Sequence, residues 1–304
     1  MNLSVKIGTL SLQNPVTVAS GTFGYGIEYS QLVDLNQLGA VVVKGIRLEP
    51  VRGNPTPRTV EVTSGLINAI GLQGPGADGF ISKYWPFLKE LNVPTFINIW
   101  GTTIEEYAEV ARRFDALGGV GALELNVSCP NIKAGGAQFG TDLKLLSQVV
   151  AACRKATKLP LITKMSPNVV SIAPYAKAAE EAGSDALSIM NSFPAMAIDI
   201  ETRRPSLANV TGGLTGPCIK PIAIKLVWEA AKAVQIPIIG MGGIQTAADA
   251  IEFLMAGATA VAVGTANFYE PQTALKVVAG IREFMEQNGI RDVRELIGSV
   301  QTGK

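Results

Sequence analysis

Eight short apolar runs recur along this chain, at positions 16–19, 40–44, 95–99, 122–126, 161–164, 186–190, 237–240 and 260–263, and long connections separate them. Helical periodicity fills most of those connections, at 103–117, 142–157, 172–182, 219–234, 246–256 and 272–287. Strands that are apolar on both faces belong in a parallel sheet covered by helices. Eight of them is the number that closes into a barrel. The expected fold class is therefore α/β, a (β/α)8 TIM barrel. An open doubly wound sheet is the competing arrangement. It requires a glycine-rich turn after the first strand and an acid about 20 residues further on. Ala19-Ser20-Gly21-Thr22-Phe23-Gly24 matches that turn poorly.

Local signals agree with the helix assignments. Thr103 ahead of Glu105-Glu106, Thr141-Asp142 and Thr246 stand where N-caps are needed. Gly118, Gly183, Gly257 and Gly289 stand where helices close at C′. Residues 1–15 read as a hairpin plugging the barrel floor, and 287–304 as a polar extension with at least one helical turn. No linker or change in composition divides the chain, so 1–304 is read as one domain.

Composition narrows the class of partner. Charged residues are only 17% of the chain, against about 25% in average soluble proteins, which reads either as a big core with many glycines or, the reading preferred, as surface buried against other subunits. The net charge is +1 and no block of Lys/Arg stands out, so neither nucleic acid nor an anionic membrane is an expected partner. Three cysteines without paired spacing argue against a disulfide framework or a zinc site. No apolar run reaches the roughly 18 residues of a membrane span, and the N-terminus lacks a signal pattern. The expected location is the cytoplasm.

A barrel carries its chemistry at the C-terminal ends of its strands, and polar or glycine residues stand at all eight. They are Ser20-Gly21, Lys44-Gly45, Asn98, Asn126 to Asn131, Lys164, Asn191-Ser192, Gly242-Gly243 and Gly264-Thr265. Glycine pairs after the last two strands suit phosphate binding by backbone N–H groups, although tight βα turns also require glycine. Lys44 and Lys164 end otherwise apolar strands. Each is either a lysine reaching out to solvent or a cation that stabilises developing negative charge. Asn68, Asn98, Asn126, Asn131 and Asn191 offer donors and acceptors suited to a flat polar heterocycle. No His/Asp/Glu cluster has metal-ligand spacing. Two connections, 46–76 and 191–216, are long enough to expect function in them.

The chain has no histidine, so proton transfer near neutral pH needs another group. A thiol with a reference pKa of about 8.5 is nearest to that range. Cys153 falls inside a helix and reads as core. Cys218 follows Gly216-Pro217 at a helix start, where a structural role is the simpler reading. Cys129 has the functional setting: it ends a strand in Asn126-Val127-Ser128-Cys129-Pro130-Asn131, and the glycine-rich stretch 132–140 follows.

These motifs resemble the dihydroorotate dehydrogenase family over nearly the whole chain, in order and spacing. The segment 126–131 matches the family's catalytic segment, and 68–73, 191–192, 212–217, Pro221, 240–243 and 264–265 match as well. A cysteine base in place of serine resembles class 1 rather than class 2, and the stretch 132–140 resembles the class 1B catalytic subunit rather than the fumarate-using 1A form. Ser192 replaces the usual threonine and keeps the hydroxyl; Trp100 is a less familiar neighbour of Asn98.

The resemblance implies FMN-dependent oxidation of (S)-dihydroorotate to orotate in pyrimidine biosynthesis. It implies Cys129 as general base and hydride transfer to flavin N5. Lys44, Asn68, Ala69, Ile70, Gly71, Leu72, Asn126, Asn191 and Ser192 would hold the substrate. Ser20, Lys44, Gly45, Asn98, Asn126, Lys164, Met190, Gly216, Gly242, Gly243, Gly264 and Thr265 would hold FMN. A partner subunit with FAD and a [2Fe-2S] cluster would pass electrons to NAD+, around a homodimer core of a heterotetramer. Two other readings remain: a flavoprotein like the dihydropyrimidine dehydrogenases, whose substrate lacks a carboxylate, and a non-catalytic barrel that binds a phosphorylated ligand.

Overall fold

The structure is a computed structural model and describes residues 1–127 and 139–303. Its first strands, β1 (Val5–Ile7) and β2 (Leu10–Leu12), form an antiparallel hairpin. Val5, Ile7 and Leu12 are buried. The turn at Gly8 packs on Pro160 and Asp185, just ahead of two barrel strands, which puts the hairpin on the barrel floor as expected.

Eight parallel strands make the barrel. They are β3 (Val16–Val18), β4 (Val41–Ile46), β7 (Thr95–Ile99), β8 (Ala122–Asn126), β9 (Leu161–Lys164), β10 (Ala186–Ile189), β15 (Ile238–Met241) and β16 (Ala260–Val263). Six further strands, β5 (Thr59–Val62), β6 (Gly65–Asn68), β11 (Phe193–Ala195), β12 (Ile198–Asp199), β13 (Arg204–Pro205) and β14 (Gly212–Thr215), lie in the connections between them. Neighbours in the barrel follow chain order, from β4 through β7, β8, β9, β10, β15 and β16 to β3. The ring closes where Thr17 bridges Ala40. An open doubly wound sheet is thereby excluded.

Helices α1 (Gly76–Lys83), α2 (Trp85–Leu88), α3 (Ile104–Asp115), α4 (Leu143–Ala156), α5 (Ile172–Glu181), α6 (Lys220–Ala231), α7 (Ala247–Met255), α8 (Ala266–Tyr269) and α9 (Thr273–Gln287) cover the outside. The expected caps form. Thr103 accepts from Glu106 N–H, Asp142 from Leu145 N–H, and Thr246 shares a capping box with Asp249. Gly183, Gly257 and Gly289 take positive φ one residue past their caps. Gly118 lies one residue further out, because the α3 cap is Ala116. The 219–234 helix begins instead with a 3-10 turn, Pro217–Ile219, that bends into α6. Among the described residues no helix is long and apolar enough to cross a membrane.

The two long connections build a structure that their sequences do not announce. Strands β5 and β6 from one, and β11 and β14 from the other, join in a four-stranded antiparallel sheet in the order β11-β14-β6-β5. Ile67, Ala69 and Leu207 form its own small apolar cluster. This sheet brings Asn68 opposite Gly213 across the strand pair.

Candidate active site

A cleft opens at the C-terminal ends of the barrel strands and encloses about 1330 Å³ including its mouth. Strand register explains which side chains meet there. Asn98 stands opposite Glu124, Asn126 opposite Lys164, and Lys164 opposite Ser188 on successive parallel strands. Alternate residues of a strand share a face, so these polar residues form adjoining levels inside the barrel.

The deeper level is a hydrogen-bonded triad. Asn98 Nδ2 donates to Glu124 Oε1 at 2.6 Å, and Ser188 Oγ donates to Glu124 Oε2 at 2.7 Å. Asn98 lines the cleft, and its Oδ1 is buried with no hydrogen-bond partner among the described residues. Above it, Lys164 is 7% exposed, and its one hydrogen bond among the described residues runs to Ser20 Oγ at 3.4 Å. A cation this buried with so few acceptors is suited to an anionic or electron-rich ligand.

Backbone lines one side of the cleft. Gly216, Gly242 and Gly243 all adopt positive φ there, where a side chain would be strained. A Cβ on Gly243 would also lie 2.8 Å from Gly216 O. Gly264 and Thr265 follow β16 on the same wall.

The other side holds amides and Lys44. Asn191 Nδ2 donates to Asn126 Oδ1 at 3.1 Å, and Asn191 Oδ1 accepts from Ser192 N–H at 2.8 Å. Asn68 Nδ2 donates to Gly213 O at 3.2 Å. Ile70, Gly71 and Leu72 also line the cleft. Asn54 holds that loop in shape: its Nδ2 donates to Ala69 O at 2.9 Å and its N–H to Ile70 O at 3.0 Å. Gly71 takes φ +77° against Asn54, and a Cβ there would lie 2.6 Å from Asn54 N. The Lys44 ammonium is held below the usual lysine range, first by desolvation and then by the Arg58 charge, while Glu28 acts in the opposite sense.

Comparison with known proteins decides the family. Residues 2–285 match the family model described as dihydroorotate dehydrogenase. The chain belongs to the dihydroorotate dehydrogenase family. It is 56% identical to the "Dihydroorotate dehydrogenase B (NAD(+)), catalytic subunit" of Trichlorobacter lovleyi over 299 residues, 98% of each chain. It is 54% identical to the protein of the same description from Desulforamulus reducens, again over 98% of each. The solved DHODH of Eimeria tenella, in complex with ferulenol, superposes with a TM-score of 0.81 at 25% identity, covering 98% of this chain and 88% of that one.

In this dihydroorotate dehydrogenase, nearly all the expected positions converge on one cleft. Ser20, Lys44, Gly45, Asn68, Ile70, Gly71, Leu72, Asn98, Asn126, Lys164, Met190, Asn191, Ser192, Gly216, Gly242, Gly243, Gly264 and Thr265 all line it. Ala69 does not. It is buried in the small sheet's apolar cluster, where strand alternation turns it away from the cleft. Cys129 and Asn131, with most of the 132–140 stretch, lie outside the described residues.

Lys44 is a second departure from expectation. It does not end its strand: β4 runs on to Ile46 through a register shift between Val43 and Ile46. Such an irregularity re-aims a side chain. Cys218 is exposed in the 3-10 turn and donates weakly to Thr215 O, while Cys153 is buried, with its thiol pushed up to about 12 by burial.

Sequence reasoning missed Thr59, Leu66 and Thr215 on the small sheet, and Phe268 of α8, all on the cleft wall. It also missed Glu124, whose signal was an acid in an otherwise apolar barrel strand, Ala122-Leu123-Glu124-Leu125. Tyr107 was missed as well; its hydroxyl donates to Asn126 O at 2.7 Å, and Phe139 packs edge-on against its ring.

Proposed function

We propose that this chain is the catalytic subunit of a class 1B dihydroorotate dehydrogenase. It oxidises (S)-dihydroorotate to orotate with FMN, and works with a partner subunit whose FAD and [2Fe-2S] cluster deliver the electrons to NAD+. The observation that carries this reading is one cleft in which a buried lysine, a glycine-lined wall and a cluster of amides around a second lysine face one another. The curated relatives carry the NAD(+) description over almost their full length.

The residues present fit FMN. Among the described residues Asn98 Oδ1 is a buried acceptor without a partner and Lys164 a buried cation with one long contact, and the Gly242-Gly243 wall would be obstructed by side chains. Ser20, Lys44, Gly45, Asn98, Asn126, Lys164 and Met190 would surround the ring, and Gly216, Gly242, Gly243, Gly264 and Thr265 the phosphate. FMN, when bound, supplies the acceptor for the hydride that leaves C6 of dihydroorotate.

This chain's own residues do the rest. Lys44 pairs with the substrate carboxylate, and Asn68, Asn126, Asn191 and Ser192 orient the ring through its amide edges. Backbone of Ile70, Gly71 and Leu72 closes on the carboxylate side. Cys129, assigned from the family resemblance, removes the proton from C5. Lys164 stabilises negative charge that builds up beside it.

The test is Cys129→Ala in FMN-loaded protein. Turnover near neutral pH should be abolished while FMN stays bound. Full activity in that variant overturns the base assignment. The carboxylate separates this reading from a dihydropyrimidine dehydrogenase-like enzyme: faster flavin reduction by dihydrouracil than by dihydroorotate would favour the latter.

A further inference from the structure

Glu124 is the only buried acid among the described residues, at 1% exposed. It has no ion-pair partner there, and its two oxygens are held by Asn98 Nδ2 and Ser188 Oγ. A buried carboxylate is costly unless its lone pairs are satisfied, so its presence in a barrel interior calls for a reason. Replacing the acid and both its partners by apolar residues would leave no charge inside.

The geometry supplies the reason through what it does to Asn98. An amide side chain can turn over and exchange its oxygen and nitrogen. A carboxylate only accepts. If Asn98 turned over, its oxygen would face Glu124 Oε1 at hydrogen-bond distance, acceptor against acceptor. Asn98 lines the cleft, and Glu124 therefore holds it with its nitrogen toward the acid and its oxygen directed away, an oxygen left without a partner among the described residues. Gly45 keeps the approach open, because a Cβ there would lie 2.7 Å from Asn98 Oδ1. A buried acceptor left unpaired is unfavourable, so the wall is shaped for a ligand that brings an N–H.

We infer that Glu124 is a positioning residue that makes Asn98 a dedicated acceptor, so that the cleft selects the cofactor by a ring N–H. The inference rests on FMN being the occupant. The oxidised isoalloxazine ring carries a single N–H, at N3, and that is the donor Asn98 Oδ1 accepts. Ser188 contributes by holding the second carboxylate oxygen, but the polarity of the arrangement comes from the acid.

Apo-protein titrated with FMN and with 3-methyl-FMN, followed by quenching of flavin fluorescence, tests this directly. Wild type should bind FMN at least about tenfold more tightly than the methylated flavin. In Glu124→Gln the side chain offers a donor as well as an acceptor, Asn98 is free to turn over, and the preference should fall several-fold. Ser188→Ala leaves the acid facing Asn98 and should keep the wild-type ratio. A role confined to folding would weaken both flavins together and leave the ratio unchanged. If Glu124→Gln does not fold, Asn98→Ser replaces it: it keeps a donor for the acid, withdraws the oxygen from the wall, and should lower the preference in the same way. Tight FMN binding without discrimination in wild type, or a wild-type ratio in the folded variant, overturns the inference alone. Failure of wild type to bind FMN overturns the cofactor reading and this inference with it.

Discussion

Replacing Lys44 by glutamine asks whether the cleft is built for a ring that carries a carboxylate. Lys44 is half-buried on a strand irregularity, and its ammonium is held below the usual lysine range by desolvation first and by Arg58 second. A cation stripped of water gains most from an anionic partner. A hydrogen bond to a charged group contributes about 1.5–3 kcal/mol, which corresponds to about 10- to 150-fold in affinity. Lys44→Gln should therefore raise KM for dihydroorotate by a factor in that range. Reduction of the flavin by dihydrouracil, which has no carboxylate, should change far less.

The pH dependence has a definite sign. Lys44 carries its charge below its pKa, so wild-type KM stays low at neutral pH and climbs as pH rises through the lowered pKa. Lys44→Gln should show a flat KM over the same interval. Binding of the carboxylate raises the lysine pKa by linkage, so kcat/KM falls at lower pH than kcat does. The assay is steady-state oxidation of dihydroorotate with an artificial electron acceptor. FMN occupancy is checked by absorbance, because Lys44 also borders the cofactor side. An unchanged KM with the wild-type pH profile would refute the carboxylate assignment.

Three further outcomes follow from other parts of the chain. Cys218 is exposed and Cys153 buried with its thiol pushed up to about 12, so brief iodoacetamide treatment of native protein should label Cys218 and spare Cys153 by mass spectrometry until the protein is unfolded. Asp115 Oδ1 accepts from Thr157 Oγ1 and from the N–H groups of Lys158 and Leu159, which hold its carboxyl below the usual range. Its stabilisation is complete above the unfolded value near about 3.9 and is lost as pH falls through the lower folded value. Asp115→Asn should thus lower Tm at neutral pH, and the gap should close in strong acid. Thr246→Ala removes one side of the α7 capping box; a cost of about 1 kcal/mol should lower Tm by about 1–2 °C.

The barrel was legible because each of its strands is a nearly continuous apolar run between helical segments, a pattern that strand burial on both faces imposes. Val41-Val42-Val43 and Ala260-Val261-Ala262-Val263 announce themselves locally. The small antiparallel sheet was not legible. Thr59-Val60-Glu61-Val62 and Phe193-Pro194-Ala195 are short and mixed, and they gain partners only when two connections more than a hundred residues apart come together. The glycines of the cleft were readable as a group, since a backbone wall needs positive φ or bare approach. Glu124 was hidden for a different reason. Its partners Asn98 and Ser188 lie on β7 and β10, so their meeting depends on barrel closure and register rather than on spacing along the chain. Ala69 shows the reverse case: it belongs to a recognisable motif, but strand alternation turns it into the apolar cluster.

The most direct test of the account is anaerobic addition of dihydroorotate to this chain alone, purified and reconstituted with FMN, while the flavin absorption band is followed. The account predicts stoichiometric FMN uptake and bleaching of the band by dihydroorotate, with orotate formed in equal amount. Protein that takes up no FMN, or whose bound flavin is bleached by dihydrouracil and not by dihydroorotate, would contradict it.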